Sequence, residues 1–120
     1  MPKNQKLKIY HNPRCSKSRQ TLALLTERGE TPEIIEYLKT APSAAEIREV
    51  AKMLGLTSVR DMMRTGESIY KELNLKTVTD EDKLIRAMVE NPKLIERPIV
   101  IKEGKAAIGR PPETVLSLFT

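Results

Sequence analysis

The chain has 120 residues, a formal net charge of +5 and only 3% aromatic residues, with no Trp. That length fits one domain with a modest core, and the core has to be aliphatic. The longest apolar runs are too short to span a membrane, no stretch reads as a secretion signal, and a single cysteine, Cys15, excludes an internal disulfide. The expected setting is therefore the reducing cytoplasm. Positive charge favours anionic partners. However, the basic residues are spread along the chain, and only Tyr10, Tyr37, Tyr70 and Phe119 offer rings for stacking. Neither nucleic acid nor a membrane is an expected partner.

Leu7 to Tyr10 reads as a short strand. Ser16 to Arg28 follows as a helix, with Leu22 and Leu25 on one face and Gly29 as the stop. Glu33 to Leu38 reads as a second strand, so the first stretch is a βαβ unit and its strands are expected to be parallel. The middle of the chain is helical. Ser43-Ala44-Ala45-Glu46 is a capping box, and Ile47, Val50, Ala51 and Leu54 follow at helical spacing before Gly55. Ser58-Val59-Arg60-Asp61 is a weaker start signal, with Met62, Met63, Ile69, Tyr70 and Leu73 as apolar faces beyond it. Thr79 opens a further helix carrying Leu84, Ile85 and Met88, which stops at Asn91-Pro92. Pro98 to Ile101 reads as a buried strand, Glu103-Gly104 as a turn, and Lys105 to Ile108 as the returning strand of an antiparallel hairpin. Pro112 can start a last helix carrying Val115, Leu116 and Leu118. The order is β-α-β, a helical block, then β-β-α. It predicts an α/β domain with a mixed sheet of about four strands and a helical insertion in its middle.

Chemistry concentrates around Cys15. A turn delivers it to the start of the first helix, among His11, Arg14, Lys17 and Arg19. Helix N-terminal amides and nearby cations are the surroundings that favour a thiolate, the nucleophilic form of cysteine. The polar neighbours argue against a merely buried, apolar cysteine. Cys15-Ser16-Lys17-Ser18 is a Cys-x-x-Ser version of a thiol redox motif, and the Ser18 hydroxyl is placed to hydrogen-bond the thiolate. His11 is either a proton partner or the residue that orients the turn. One cysteine and one histidine are too few for a structural zinc site, and no metal is expected. Arg60 and Arg64 are one helical turn apart and are expected to share a face before Gly66. Arg97 precedes Pro98, where a cis peptide is permitted, and Arg110 precedes Pro111. If such arginines converge, guanidinium groups supply fixed charge and bidentate geometry for an oxyanion. Lowering a thiol pKa by about two units takes roughly 2.7 kcal/mol, more than the roughly 0.3–1 kcal/mol of a helix N-terminus. Nearby cations must contribute the rest, and His11 and Arg19 are the expected ones.

The chain resembles the glutaredoxin-coupled arsenate reductases of the plasmid and enterobacterial type, over about residues 7 to 119. The resemblance rests on Ile9-Tyr10-His11-Asn12-Pro13-x-Cys15-x-x-Ser18-Arg19, Val59-Arg60-x-x-x-Arg64, Glu96-Arg97-Pro98-Ile99-Val100 and Gly109-Arg110-Pro111. It implies a thioredoxin-like fold. It implies that Cys15 is the nucleophile, with His11, Ser18 and Arg19 as its catalytic neighbours, and that Arg64, Arg97 and Arg110 bind the oxyanion. It further implies arsenate as substrate, glutathione as co-substrate with no bound cofactor, and glutaredoxin as protein reductant. The residues between Cys15 and Ser18 are larger than in the best-known members, and Gly109 stands where one such member has a further, non-essential cysteine. The residue six after Cys15 is Thr21, so the Cys-x5-Arg loop of the other arsenate reductase type is absent. Two alternatives use the same scaffold: a glutathione-dependent reductase of another substrate, and a stress regulator that binds RNA polymerase.

Overall fold

The computed structural model describes residues 7–119. They fall into two units, one made of residues 7–40 with 97–119 and the other of Ala41–Glu96.

The first unit is built on β1 (Leu7–Tyr10) and β3 (Ile99–Lys102), the two inner strands of a four-stranded sheet of order β2-β1-β3-β4. Ile9, Ile99 and Val100 are completely buried, as befits inner strands of a sheet. β2 (Glu33–Ile35) lies parallel to β1, pairing Ile34 with Ile9. β3 runs antiparallel to β1, pairing Val100 with Ile9, and β4 (Lys105–Ile108) is antiparallel to β3. The sheet is thus mixed and four-stranded, as the element order predicted. Between β3 and β4, Glu103 and Gly104 both have positive φ (49° and 82°), a backbone twist that suits a tight hairpin.

α1 (Ser16–Glu27) connects β1 to β2. Gly29, at φ 85°, turns the chain out of the helix in a left-handed conformation that costs glycine little. Leu25 of α1 joins Ile9, Val100, Ala107 and Val115 in one buried cluster, flanked by Leu7, Leu22, Leu118 and Phe119. Two elements differ from expectation. The second strand ends at Ile35 rather than Leu38, because the Lys39 and Thr40 amides both bond the Glu36 carbonyl and close a turn. The last helix, Pro112–Phe119, is a 3-10 helix. Proline at 111 and 112 removes two N–H donors at its start, and Thr114 opens it with a bond three residues back to Pro111.

In the second unit, α2 (Ala44–Met53) carries the complete capping box: the Ser43 hydroxyl accepts the Glu46 amide at 3.1 Å, and the Glu46 carboxylate accepts the Ser43 amide at 2.7 Å. α3 (Ser68–Glu72) is a short helix. α4 (Glu81–Glu90) begins one residue later than Thr79 suggests, because the Asp80 side chain accepts the Asp82 amide and so forms the cap. Ile47, Val50, Met62, Leu84, Met88 and Leu94 are buried in this unit. Residues Val59–Met62 form a 3-10 turn, and Met63 then bridges to Ile95 in an antiparallel pair. Arg60 and Arg64 therefore do not share a helix face. Among the described residues, no helix is long and apolar enough to cross a membrane.

Ile9 pairs with both neighbouring strands and packs in the cluster beneath them. Truncation to Ala removes that packing and leaves a cavity, with an expected loss of about 2–5 kcal/mol. Urea unfolding of Ile9→Ala against the parent chain measures it; an unchanged midpoint would contradict this account of the core.

Candidate active site

The loop between β1 and α1 is organised by its own side chains. The Asn12 carbonyl accepts the Cys15 amide at 3.0 Å, and the Asn12 side-chain oxygen accepts the Arg14 amide at 3.0 Å. An asparagine before a proline is a turn-forming residue, and this one folds the loop over its own backbone. Arg19, one turn into α1, donates Nη1 back to the Pro13 carbonyl at 2.9 Å. The Arg19 amide bonds the Cys15 carbonyl. Cys15 is thereby fixed as the N-cap residue of α1 and half-buried, where the Ser18 and Lys17 amides of the first turn favour its thiolate.

His11 and Ser18 are both buried. His11 Nδ1 lies 2.6 Å from the Ser18 hydroxyl, which also accepts the Asn12 amide at 3.0 Å. A neutral imidazole with its hydrogen on Nε2 leaves Nδ1 free to accept the single hydroxyl hydrogen, so that every one of these groups is used. Burial lowers the His11 pKa, and the Arg19 charge lowers it further against an opposing pull from Glu36. The Ser18 hydroxyl thus serves His11 and Asn12, and it is the Ser18 backbone amide that serves Cys15.

Two arginines from the other end of the chain reach the sulfur. Arg110 donates Nη2 to Cys15 Sγ at 3.7 Å, and its Nε donates to the Arg97 carbonyl at 2.8 Å. Arg97 hydrogen-bonds and attracts the thiolate as well. Partial burial raises the Cys15 pKa, but the Ser18 amide, the Arg97 guanidinium and the Lys17 amide outweigh it, and the net shift is downward. The charge that favours the thiolate comes from Arg97, with Arg110 beside it, rather than from His11 and Arg19 as the local sequence suggested. His11 is neutral and turned to Ser18; Arg19 is committed to the loop backbone.

Both arginines precede cis prolines, Pro98 and Pro111. The first matches the sequence expectation; the second was not anticipated. Arg64 belongs to the second unit. Its guanidinium is shared between Glu67 and Glu96, each at 3.1 Å. Arg60 is a strut of the same unit: it donates Nη1 to the Leu75 carbonyl at 3.0 Å and further bonds to the Tyr70 hydroxyl and the Val78 carbonyl. Nothing in the spacing of Arg60 distinguishes that role from a solvated surface charge. Among the described residues, no group of three or more His, Cys, Asp or Glu side chains is placed to hold a metal ion.

A model of the ArsC family matches residues 10–118. The chain belongs to the ArsC family. It is 57% identical over 115 residues to YfgD, an uncharacterized protein of Escherichia coli (strain K12), covering 95% of this chain and 97% of that one. It is 53% identical over 112 residues to an arsenate reductase of Haemophilus influenzae, covering 92% and 97%. Its backbone superposes on the structure of an arsenate reductase from Vibrio cholerae with a TM-score of 0.92 at 53% identity, covering 96% of this chain and 98% of that one. The four-stranded mixed sheet with its flanking helices is the thioredoxin-like fold of these relatives.

Two measurements follow from the electrostatics. Iodoacetamide alkylation of Cys15 is expected to titrate below the ordinary thiol range. Arg97→Gln removes a group that favours the thiolate, so its midpoint moves up and alkylation at neutral pH slows; Arg19→Gln moves it less. Equal shifts in the two variants would contradict the assignment. His11 titrates lower in the folded chain than the ordinary 6.5 of the unfolded one. Between those values the unfolded state binds more protons, so stability held above pH 6.5 is lost as the pH falls toward the folded pKa. Urea unfolding at pH 7.5 and 5.5 should show that loss in the parent chain and a smaller one in His11→Gln.

Proposed function

We propose that the chain is an arsenate reductase that draws its reducing thiols from glutathione and glutaredoxin. The observation that carries the reading is the pair Arg97 and Arg110 against a cysteine at a helix N-terminus. An anion attacked by a thiolate meets electrostatic repulsion, and two fixed guanidinium groups beside the sulfur offset it while orienting the oxygens. The names of relatives near 50% identity point to the same substrate.

In this reading the Cys15 thiolate forms a bond to arsenic and one arsenate oxygen leaves as water. A glutathione thiolate then bonds to arsenic and a second oxygen leaves as water. A glutaredoxin thiolate attacks the glutathione sulfur and forms a mixed disulfide. The electron pair of the broken sulfur–arsenic bond stays on arsenic, which falls to the trivalent state. Hydroxide then displaces Cys15 from arsenic, arsenite leaves, and the thiolate is restored. A second glutathione reduces the mixed disulfide. The chain has no second cysteine, so a reducing thiol from another molecule is needed. His11 and Ser18 hold the loop and its proton arrangement, and Arg19 keeps it closed over α1.

The test is arsenate-dependent NADPH oxidation coupled through glutathione, glutathione reductase and glutaredoxin. The parent chain should turn over, and Cys15→Ser should lose activity by at least about a thousandfold. Omission of glutaredoxin should also abolish turnover. A folded parent chain with a reactive Cys15 and no arsenate-dependent oxidation would overturn the proposal.

A further inference from the structure

Gly109 is the residue between the end of β4 and Arg110. Its amide donates to the Pro98 carbonyl at 2.9 Å, and the next amide, that of Arg110, donates to the Ile108 carbonyl at 2.9 Å. The backbone here is therefore tied to the strand end on both sides. Across from it stands Thr21 of α1, completely buried, with its hydroxyl bonded to the Lys17 carbonyl at 2.8 Å. A Cβ placed on Gly109 would lie 2.5 Å from Thr21 Oγ1, 3.2 Å from Thr21 Cγ2 and 2.9 Å from Pro98 Cγ. Among the five glycines this is the one whose Cβ would meet anything within 4 Å. Three of the others occupy positive-φ positions, where their freedom serves backbone conformation. Gly109 has no positive φ, so closeness of approach is what requires glycine there.

We infer that Gly109 is a positioning residue for the thiol: the missing side chain lets the strand end press against Thr21, and only at that separation does Arg110 reach Cys15. Thr21 is a poor candidate to yield. It is β-branched, short, buried and held by its helix. The Pro98 ring carbon can shift by pucker, whereas turning the Thr21 side chain away breaks its bond to the Lys17 carbonyl within a fully packed site. A side chain at 109 would drive the 109–110 backbone away from α1 by about 1 Å to regain ordinary contact distances. Arg110 Nη2 now stands 3.7 Å from the sulfur, close to the limit for a hydrogen bond to sulfur, so a retreat of that size breaks the contact. Cys15 sits at the N-terminus of the same helix that carries Thr21. The helix therefore sets the position of the sulfur, and through Gly109 it also sets the position of the guanidinium that faces it. The inference concerns the reactivity of the thiol and holds whichever electrophile Cys15 takes.

The test compares iodoacetamide alkylation from pH 5 to 10 in the parent chain, Gly109→Ala, Thr21→Ala and the double variant, each checked for folding by circular dichroism. Gly109→Ala should react about threefold to tenfold more slowly at pH 7, with its midpoint moved to higher pH. Thr21→Ala removes the two Thr21 atoms in the way, leaving the Pro98 ring carbon, which can shift by pucker, and should react like the parent. The double variant should recover to within about twofold of Thr21→Ala, since the added methyl then occupies the space left by the threonine. A merely structural loss would lower the melting temperature without moving the pH midpoint. The inference is overturned if Gly109→Ala keeps the parent profile, or if the double variant remains as slow as Gly109→Ala. Should Gly109→Ala fail to fold, the double variant decides: parent-like alkylation supports the inference, and a slow or unfolded double variant overturns it. Loss of arsenate turnover with all four alkylation profiles as expected would count against the proposed reaction and leave this inference standing.

Discussion

The pairing of β1 with β3 joins two stretches from opposite ends of the chain, setting Ile9 beside Val100 and Tyr10 beside Ile99. The site depends on that register. β1 runs directly into the cysteine loop, while β3 is preceded by Arg97 and its hairpin partner β4 is followed by Arg110. A slip of one residue would turn the buried face of one of the two strands outward. The buried cluster of Ile9, Leu25, Val100, Ala107 and Val115 ties that register to α1, because Leu25 belongs to the helix whose first turn carries Cys15. Core packing and site assembly are therefore the same constraint.

The groups around the sulfur divide by origin. Loop residues shape themselves through short-range bonds: Asn12 to Arg14 and Cys15, Ser18 to His11 and Asn12, Arg19 to Pro13. These bonds hold the amides of Lys17 and Ser18 in place. The positive charge comes from Arg97 and Arg110, with Arg110 95 residues from Cys15 in sequence. Half-burial alone would keep the thiol protonated, since desolvation disfavours the charged form. Amide dipoles and a guanidinium together reverse that tendency, and partial exposure leaves the sulfur open to a reactant.

The second unit uses its arginines differently. Arg60 bonds two carbonyls and a tyrosine hydroxyl, which joins three separate stretches of backbone. Arg64 sits between two carboxylates, with about a quarter of its side chain exposed. A half-buried guanidinium shared by two acids is held in place more firmly than a surface pair, because desolvation strengthens both contacts. The two residues look alike in sequence, and only their surroundings separate a backbone strut from a charge poised between acids.

Local chemistry in the sequence determined the elements themselves: the βαβ opening, the Ser43–Glu46 capping box, the Glu103-Gly104 hairpin and the placing of Cys15 at a helix N-terminus. Each is written within a few residues, where propensity, capping and turn geometry act. Where neighbouring signals competed, boundaries moved, as when Asp80 took the cap from Thr79 and the turn at Glu36 shortened the second strand. Tertiary structure alone decided which charges meet the sulfur. His11 and Arg19 are cationic candidates close to Cys15 along the chain, yet one is buried, neutral and bonded to Ser18, and the other is spent on the loop backbone. Arg97 and Arg110 replace them because sheet pairing overrides distance along the chain. The close contact of Gly109 with Thr21 is likewise a relation between two elements, and neither residue carries a mark of it in its own sequence surroundings.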